Sequence, residues 1–184
     1  MTAVLDNLAE LYRYQGKYEQ AGIYLHRSLA IYEKHLGPEN LSTSAGIISL
    51  GIFYQTLGNY DLAETLFQRA LAIRERHLGS GHQSTAQCFG HLAILYRGEG
   101  SYSKAEPLLQ QAVATRERLS GPDHPATGLA LHSLALLYQR QGKNKQADAL
   151  YQRVLAIYEQ HLGKTHPRTL RVKNDYEHAL EKHL

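Results

Sequence analysis

Apolar side chains recur along the chain with the spacing of one face of an α-helix. Between Leu131 and Tyr138, leucine, alanine and tyrosine stand at i, i+3, i+4 and i+7, the pattern of an amphipathic helix. After Gly142 the same spacing resumes and continues from Ala147 to Leu162. Because neither helix can bury its apolar face alone, this helix pair needs neighbours of the same kind to pack against.

The helix pair occurs four times, with a period of 42 residues. The period is marked by a leucine and a tyrosine of the first helix, a glycine after that helix, and a glycine at the end of the unit. These positions are Leu8, Leu50, Leu92 and Leu134; Tyr12, Tyr54, Tyr96 and Tyr138; Gly16, Gly58, Gly100 and Gly142; and Gly37, Gly79, Gly121 and Gly163. Glycine at a helix end lets the chain reverse, since it readily adopts left-handed backbone angles.

Each helix of the unit also carries one small residue, which allows the two helices to approach closely. On the first helices these are Ala9, Gly51, Ala93 and Ala135, and on the second helices Ala21, Ala63, Ala105 and Ala147. Polar residues near Thr43, Thr85, Thr127 and Thr169 are expected to cap the start of each new first helix.

The periodicity predicts first helices near 3–15, 42–57, 84–99, 126–141 and 167–183, and second helices near 18–36, 60–78, 102–119 and 144–161. The repeats then cover about 1–41, 42–83, 84–125 and 126–166, with a capping helix over 167–184. No strand pattern is present. The sequence therefore predicts an all-α solenoid that forms a single domain over 1–184.

The pattern LA-x-LY-x-x-x-G-x-Y-x-x-A, seen as LAELYRYQGKYEQA at 8–21, resembles the tetratricopeptide repeat (TPR). The usual unit of that family has about 34 residues, and the unit here is longer by about two helical turns. With tails such as ALAIRERHLG at 70–79 and GPDHPAT at 121–127, it resembles the kinesin light chain type. The resemblance implies an α-α superhelix of helix-turn-helix repeats, whose first helices line a concave groove, and a scaffold role in protein or peptide binding.

Alignment with the family places certain positions of each first helix inside that groove, and nine of them are candidate binding residues. They are Ile48, Ile52, Gln55, Ile94, Arg97, His132, Leu136, Gln139 and Arg140. The aliphatic members predict capture of an apolar or amphipathic peptide or partner helix, with arginine and glutamine holding backbone or acidic groups. The alternative is that the aliphatic residues contact neighbouring helices and already belong to the core.

Two recognition features known from the family are not carried over. The lysine and asparagine positions that clamp C-terminal carboxylates in chaperone-binding TPR domains hold Asp6, Glu10, Ile48, Ile52, Gly90 and Ile94 here. The asparagine pair that kinesin light chains repeat before the leucine is mostly lost, so their cargo recognition is not expected.

The two ends of the array differ. The last helix has Glu177 where the other first helices have alanine or glycine, and much of its remaining sequence is polar, as in the capping helix of a solenoid. The first helix, with Val4, Leu8 and Leu11, has no comparable polar cap. The alternative function is therefore structural: self-association through the N-terminal end, or stacking within a larger TPR protein.

Composition and charge fit a soluble globular protein, with 43% hydrophobic and 20% charged residues. The net charge of +3 is spread along the helices, which gives little support to binding of nucleic acid or a membrane. The single cysteine, Cys88, fits a reducing compartment, and the expected location is the cytoplasm.

The sequence predicts no enzyme activity, no cofactor and no metal site. His82, His124 and His166 recur once per loop and are expected to cap or pack those loops, too far apart to share one ion. His91 and His132 have no cysteine or carboxylate at ligand spacing. Cys88 has no activating neighbour in the sequence, and the recurrent glycines are explained by helix ends.

Overall fold

The computed structural model describes residues 2–181, and every regular element within that range is an α-helix. The helices are α1 (Thr2–Tyr14), α2 (Tyr18–Leu36), α3 (Leu41–Thr56), α4 (Tyr60–Leu78), α5 (Gln83–Gly98), α6 (Tyr102–Ser120), α7 (Pro125–Arg140), α8 (Asn144–Leu162) and α9 (Pro167–Glu181). The predicted bounds of α1 to α8 agree with these to within one residue. The predicted end of the capping helix lies outside the described residues.

The chain divides into two compact units, with the boundary between Leu95 and Tyr96, inside α5. In the first unit, up to Leu95, α1 to α4 pack as consecutive neighbours, and in the second unit α6 to α9 do the same. In the second unit α7 also contacts α9. The predicted all-α fold of stacked helix pairs is confirmed. The single domain over 1–184 stays a prediction.

The helix pairs pack closely because their small positions are buried. The alanines at the small positions of the helix pairs are all at most 2% exposed. At the one small position that is glycine, Gly51, an added Cβ atom would lie 2.6 Å from Cε1 of Phe67. The first and third repeats have alanine in place of Gly51 (Ala9 and Ala93) and leucine in place of Phe67 (Leu25 and Leu109). The second repeat thus combines a smaller residue on α3 with a larger one on α4.

Every loop between repeats is held by a buried threonine. Each threonine hydroxyl donates to the carbonyl of the glycine six residues earlier. The bonds are Thr43 to Gly37 at 2.7 Å, Thr85 to Gly79 at 2.8 Å, Thr127 to Gly121 at 2.7 Å and Thr169 to Gly163 at 2.9 Å. The predicted polar caps near these positions are therefore not the threonines themselves, since the threonine hydroxyls hydrogen-bond back into the loop.

The caps are supplied by the residues three positions before the threonines. Asn40 Oδ1 accepts from the backbone N–H of Ser42 at 2.9 Å. In the three later loops Nδ1 of a histidine takes this role, accepting at 3.1, 3.1 and 3.2 Å. These are His82, His124 and His166. The predicted capping role of the three recurrent histidines is confirmed.

The outer faces of α1 and α9 differ in character. Val4, Leu11 and Tyr14 of α1 are 61%, 51% and 73% exposed. On α9 the apolar residues Val172 and Ala179 are buried, while polar side chains such as Glu177 and Lys173 stand in solvent.

Candidate peptide-binding grooves

The unit boundary separates the nine predicted binding residues into two groups, which makes each unit a separate candidate surface. Ile48, Ile52, Gln55 and Ile94 belong to the first unit. Arg97, His132, Leu136, Gln139 and Arg140 belong to the second.

In the first unit the three isoleucines differ in exposure. Ile48 is 8% exposed and belongs to the core, whereas Ile94 is 42% exposed. Ile52 and Gln55 are half-buried. Of the three predicted isoleucines, only Ile52 and Ile94 therefore offer apolar surface to a partner.

Ile52 lies in a groove of about 240 Å³ formed chiefly by α1 and α3, named here the α1–α3 groove. Its apolar wall contains Ile52 and Phe53 of α3 and Leu25 of α2, and its polar wall contains Asp6, Glu10 and Arg13 of α1. Asp6 and Glu10 occupy inward positions of α1 in the sequence alignment but were not part of the predicted site. Their register with Ile48 and Ile52, and that of Arg13 with Gln55, is the signal that points to them.

In the second unit, His132 of α7 is a contact between helices. It is 6% exposed, and its Nε2 lies 3.0 Å from Oδ2 of Asp175 on α9. Its ring centroid is 5.9 Å from that of Tyr151 on α8. Burial lowers the pKa of His132, although the Asp175 carboxylate acts in the opposite direction. The neutral imidazole thus connects α7, α8 and α9 through its contacts with Asp175 and Tyr151.

Tyr151 continues this buried cluster. Its ring stacks on Tyr176 of α9 at 5.3 Å between centroids, and its hydroxyl donates to Oε1 of Gln139 at 2.8 Å. Burial, with a smaller contribution from the Asp175 charge, raises the pKa of Tyr151 to about 12. Tyr151 therefore stays a neutral donor, and Gln139 is held in place by it.

Beside this cluster, and sharing Gln139 and Asp175 with it, lies a second groove of about 320 Å³, named here the α7–α9 groove. Leu136, Gln139 and Arg140 line it from α7, and Asn174, Asp175 and His178 line it from α9. The predicted residues Leu136, Gln139 and Arg140 are thus brought together on one wall. The α9 residues were not part of the predicted site.

The charges of three arginines act on one another near this second groove, and Arg140 lines it. The pKa of Arg97 is lowered, first by burial and then by the nearby positive charge of Arg140, with Arg171 adding to the effect, while Tyr151 and Asp175 oppose it. Within residues 2–181, none of the three arginines takes part in an ion pair. Three guanidinium groups therefore share the neighbourhood with one carboxylate, that of Asp175.

The remaining candidates for chemistry are structural in character. Cys88 is fully buried, and burial raises the pKa of its thiol despite the opposing charge of Arg74, which disfavours the reactive thiolate. His91 stacks on Phe67 at 5.2 Å. Across residues 2–181, no three histidine, cysteine, aspartate or glutamate side chains lie close enough together to hold a metal ion. In the same range no helix is both long and apolar enough to cross a membrane.

Family models described as tetratricopeptide repeat match residues 2–41, 44–118, 99–160 and 130–182. The chain belongs to the tetratricopeptide repeat family. A solved Podosopora anserina protein of nearly identical TPR-like repeats, named for kinesin light chain, is 28% identical, with 97% of this chain and 90% of that chain covered and a TM-score of 0.78. A variant of that protein gives 28% identity, coverage of 97% and 89%, and a TM-score of 0.79.

BtubC (BKLC) from P. vanneervenii has the same fold, with a TM-score of 0.78 and 23% identity over 90% of this chain and 66% of that chain. No curated protein matches the sequence. The TPR units of this chain are thus of the kinesin light chain-like, 42-residue type. TPR repeats generally mediate protein–protein interaction.

Proposed function

We propose that the protein is a non-catalytic scaffold that binds an amphipathic peptide or partner helix against its first helices. The observation that carries this proposal is the α7–α9 groove, which Arg140 lines. The charges of Arg140 and Arg171 both act on Arg97, and none of the three arginines has an ion-pair partner within residues 2–181. Leu136 places an aliphatic side chain in the same groove.

This arrangement favours a partner that presents an acidic side chain next to an apolar one. The half-buried guanidinium group of Arg97 has lost part of its hydration, and two like charges raise the cost of its own charge. A carboxylate relieves both costs and accepts charge-assisted hydrogen bonds, each of which contributes about 1.5–3 kcal/mol. The apolar neighbour packs on Leu136, which sets the register of the bound segment.

The experiment is a fluorescence anisotropy titration of the full chain with a labelled peptide of alternating leucine and glutamate. Replacement of Arg97 and Arg140 by glutamine is expected to weaken binding about tenfold or more, which corresponds to about 1.4 kcal/mol. The matched control is Lys145→Gln with Lys164→Gln, which removes the same charge from exposed positions of the second unit. Equal affinities of the two double variants contradict the proposal.

A second candidate function is structural, and the exposed face of α1 favours it. Leu11 is 51% exposed, whereas Phe53, Leu95 and Leu137 in the same register are at most 5% exposed. This face therefore has the character of the buried surface between repeats, and it suits self-association or another repeat of a larger TPR protein. Light scattering tests the first of these: a mass that rises with concentration in the wild type but not in Leu11→Glu supports self-association, and a constant monomer mass counts against it.

A further inference from the structure

We propose that the α1–α3 groove of the first unit is a separate binding site for a basic side chain, lysine or arginine, flanked by apolar residues of the same partner segment. The proposal extends the proposed protein-binding function to a second site of opposite charge preference. It concerns residues of α1, α2 and α3, none of which belongs to the α7–α9 groove.

The charge of the groove comes from one helix. Asp6 and Glu10 stand four residues apart on α1, so their carboxylates lie on the same helix face, and both line the groove. The α3 residues that line it, Ser49, Ile52 and Phe53, carry no charge. Of the lining residues, Arg13 alone is cationic.

Arg13 is already engaged by other groups of α1. Its guanidinium group lies 3.8 Å from the Glu10 carboxylate and 4.8 Å from the centroid of the Tyr14 ring. Asp6 has no ion-pair partner within residues 2–181. Its Oδ1 is buried and accepts no hydrogen bond. A buried carboxylate oxygen without a donor is unfavourable, and a cationic N–H from a partner removes that penalty.

The opposite wall suits the stem of such a side chain. Leu25 and Phe53 are 8% and 5% exposed, and the half-buried Ile52 completes an apolar surface beside the carboxylates. Lysine and arginine bury their methylene stems along apolar surface while the charged head reaches a polar group. At about 240 Å³ the groove is smaller than the roughly 300–1,000 Å³ of small-molecule sites, which fits one side chain of a longer partner.

Charge complementarity thus selects a basic amphipathic peptide as the occupant. The experiment measures fluorescence anisotropy of three labelled peptides, Ala-Leu-Lys-Leu-Ala and its counterparts with glutamine or glutamate at the centre, at low salt. The protein is the full chain carrying Arg97→Gln and Arg140→Gln, so that the α7–α9 groove no longer favours the glutamate peptide. The lysine peptide is expected to bind about tenfold more tightly than the glutamate peptide. Added salt should reduce this difference, because the carboxylates are partly exposed.

In the same background, Asp6→Asn with Glu10→Gln keeps the shape of both side chains and should bring the lysine and glutamate peptides to within about threefold of each other. Its control, Glu19→Gln with Glu75→Gln, removes the same charge from exposed positions of the first unit and should keep the lysine preference. Circular dichroism on each variant verifies that it is folded.

Two results overturn the proposal: a lysine preference that Asp6→Asn with Glu10→Gln leaves unchanged, or a preference for the glutamate peptide in the chain with Arg97→Gln and Arg140→Gln. The double variant of Arg97 and Arg140 separates the two sites. If it keeps the lysine preference while the leucine–glutamate peptide does not bind the wild type, the α7–α9 proposal alone has failed. If it shows no lysine preference, the α1–α3 proposal has failed, whether or not the leucine–glutamate peptide binds the wild type.

Discussion

The close contact of Gly51 with Phe67 tests how far one Cβ atom controls the packing of α3 on α4. Alanine at position 51 places its Cβ 2.6 Å from Cε1 and 2.9 Å from Cδ1 of the Phe67 ring. Phe67 is fully buried and stacks on His91 at 5.2 Å on its other side. The ring therefore cannot move away without disturbing a second contact.

The expected change in the free energy of unfolding follows from two opposing effects. Carbon atoms in contact lie about 3.5–4.0 Å apart, so Gly51→Ala requires a displacement of about 1 Å, and overpacking of this kind costs about 1–3 kcal/mol. Alanine also favours the helix over glycine by about 1 kcal/mol. Gly90→Ala in α5 is the matched control, because a Cβ there meets no atom within 4 Å. The free energy of unfolding of Gly51→Ala should be about 1–3 kcal/mol below that of Gly90→Ala.

Urea denaturation followed by circular dichroism measures this difference, and thermal midpoints should differ by about 2–4 °C per kcal/mol for a chain of this size. Phe67→Leu in the Gly51→Ala background recreates the alanine–leucine combination of the first and third repeats. A double-mutant cycle should show that this pair of substitutions costs less than the sum of its parts. If Gly51→Ala stabilises the protein as much as Gly90→Ala, the close approach is not set by the missing Cβ.

Three further predictions concern the α7–α9 groove, the contact of His132 with α9, and the loops between repeats. Leu136→Asp places a carboxylate in the α7–α9 groove and should strongly weaken binding of the leucine–glutamate peptide while circular dichroism shows unchanged helical content; unchanged binding contradicts the apolar groove. Burial holds the pKa of His132 below its ordinary value of 6.5, so the unfolded chain binds this proton first, and the free energy of unfolding should fall as the pH drops below about 6.5. His132→Gln should flatten the dependence of the urea midpoint on pH in that range, and an identical slope refutes the assignment. Thr127→Val removes the buried bond to the loop glycine and should lower the free energy of unfolding by about 1 kcal/mol, whereas Thr127→Ser, which keeps the hydroxyl, should cost less.

The helices, their order and the small positions were predictable from the sequence because they depend on local or strictly periodic features. An apolar stripe, a glycine with left-handed backbone at the end of each first helix and a 42-residue period specify each pair independently of the rest. The loops were less predictable. A threonine near the start of a helix usually indicates an N-cap. In the folded loop, however, the Thr127 hydroxyl donates to the glycine carbonyl, and His124 accepts the helix N–H instead.

The binding surfaces depend on tertiary contacts that periodicity does not encode. Ile48 and Ile94 are both isoleucines of first helices, yet one is 8% and the other 42% exposed, because exposure depends on which neighbours pack against each position. The contact of His132 with Asp175 joins α7 to α9. By itself the sequence determined the repeat, its helices and the inward register of the first helices. The tertiary structure decided which inward side chains stay exposed to solvent, and which charged side chains lie near one another without an ion pair among the described residues. Both depend on distances between helices that are far apart in the chain.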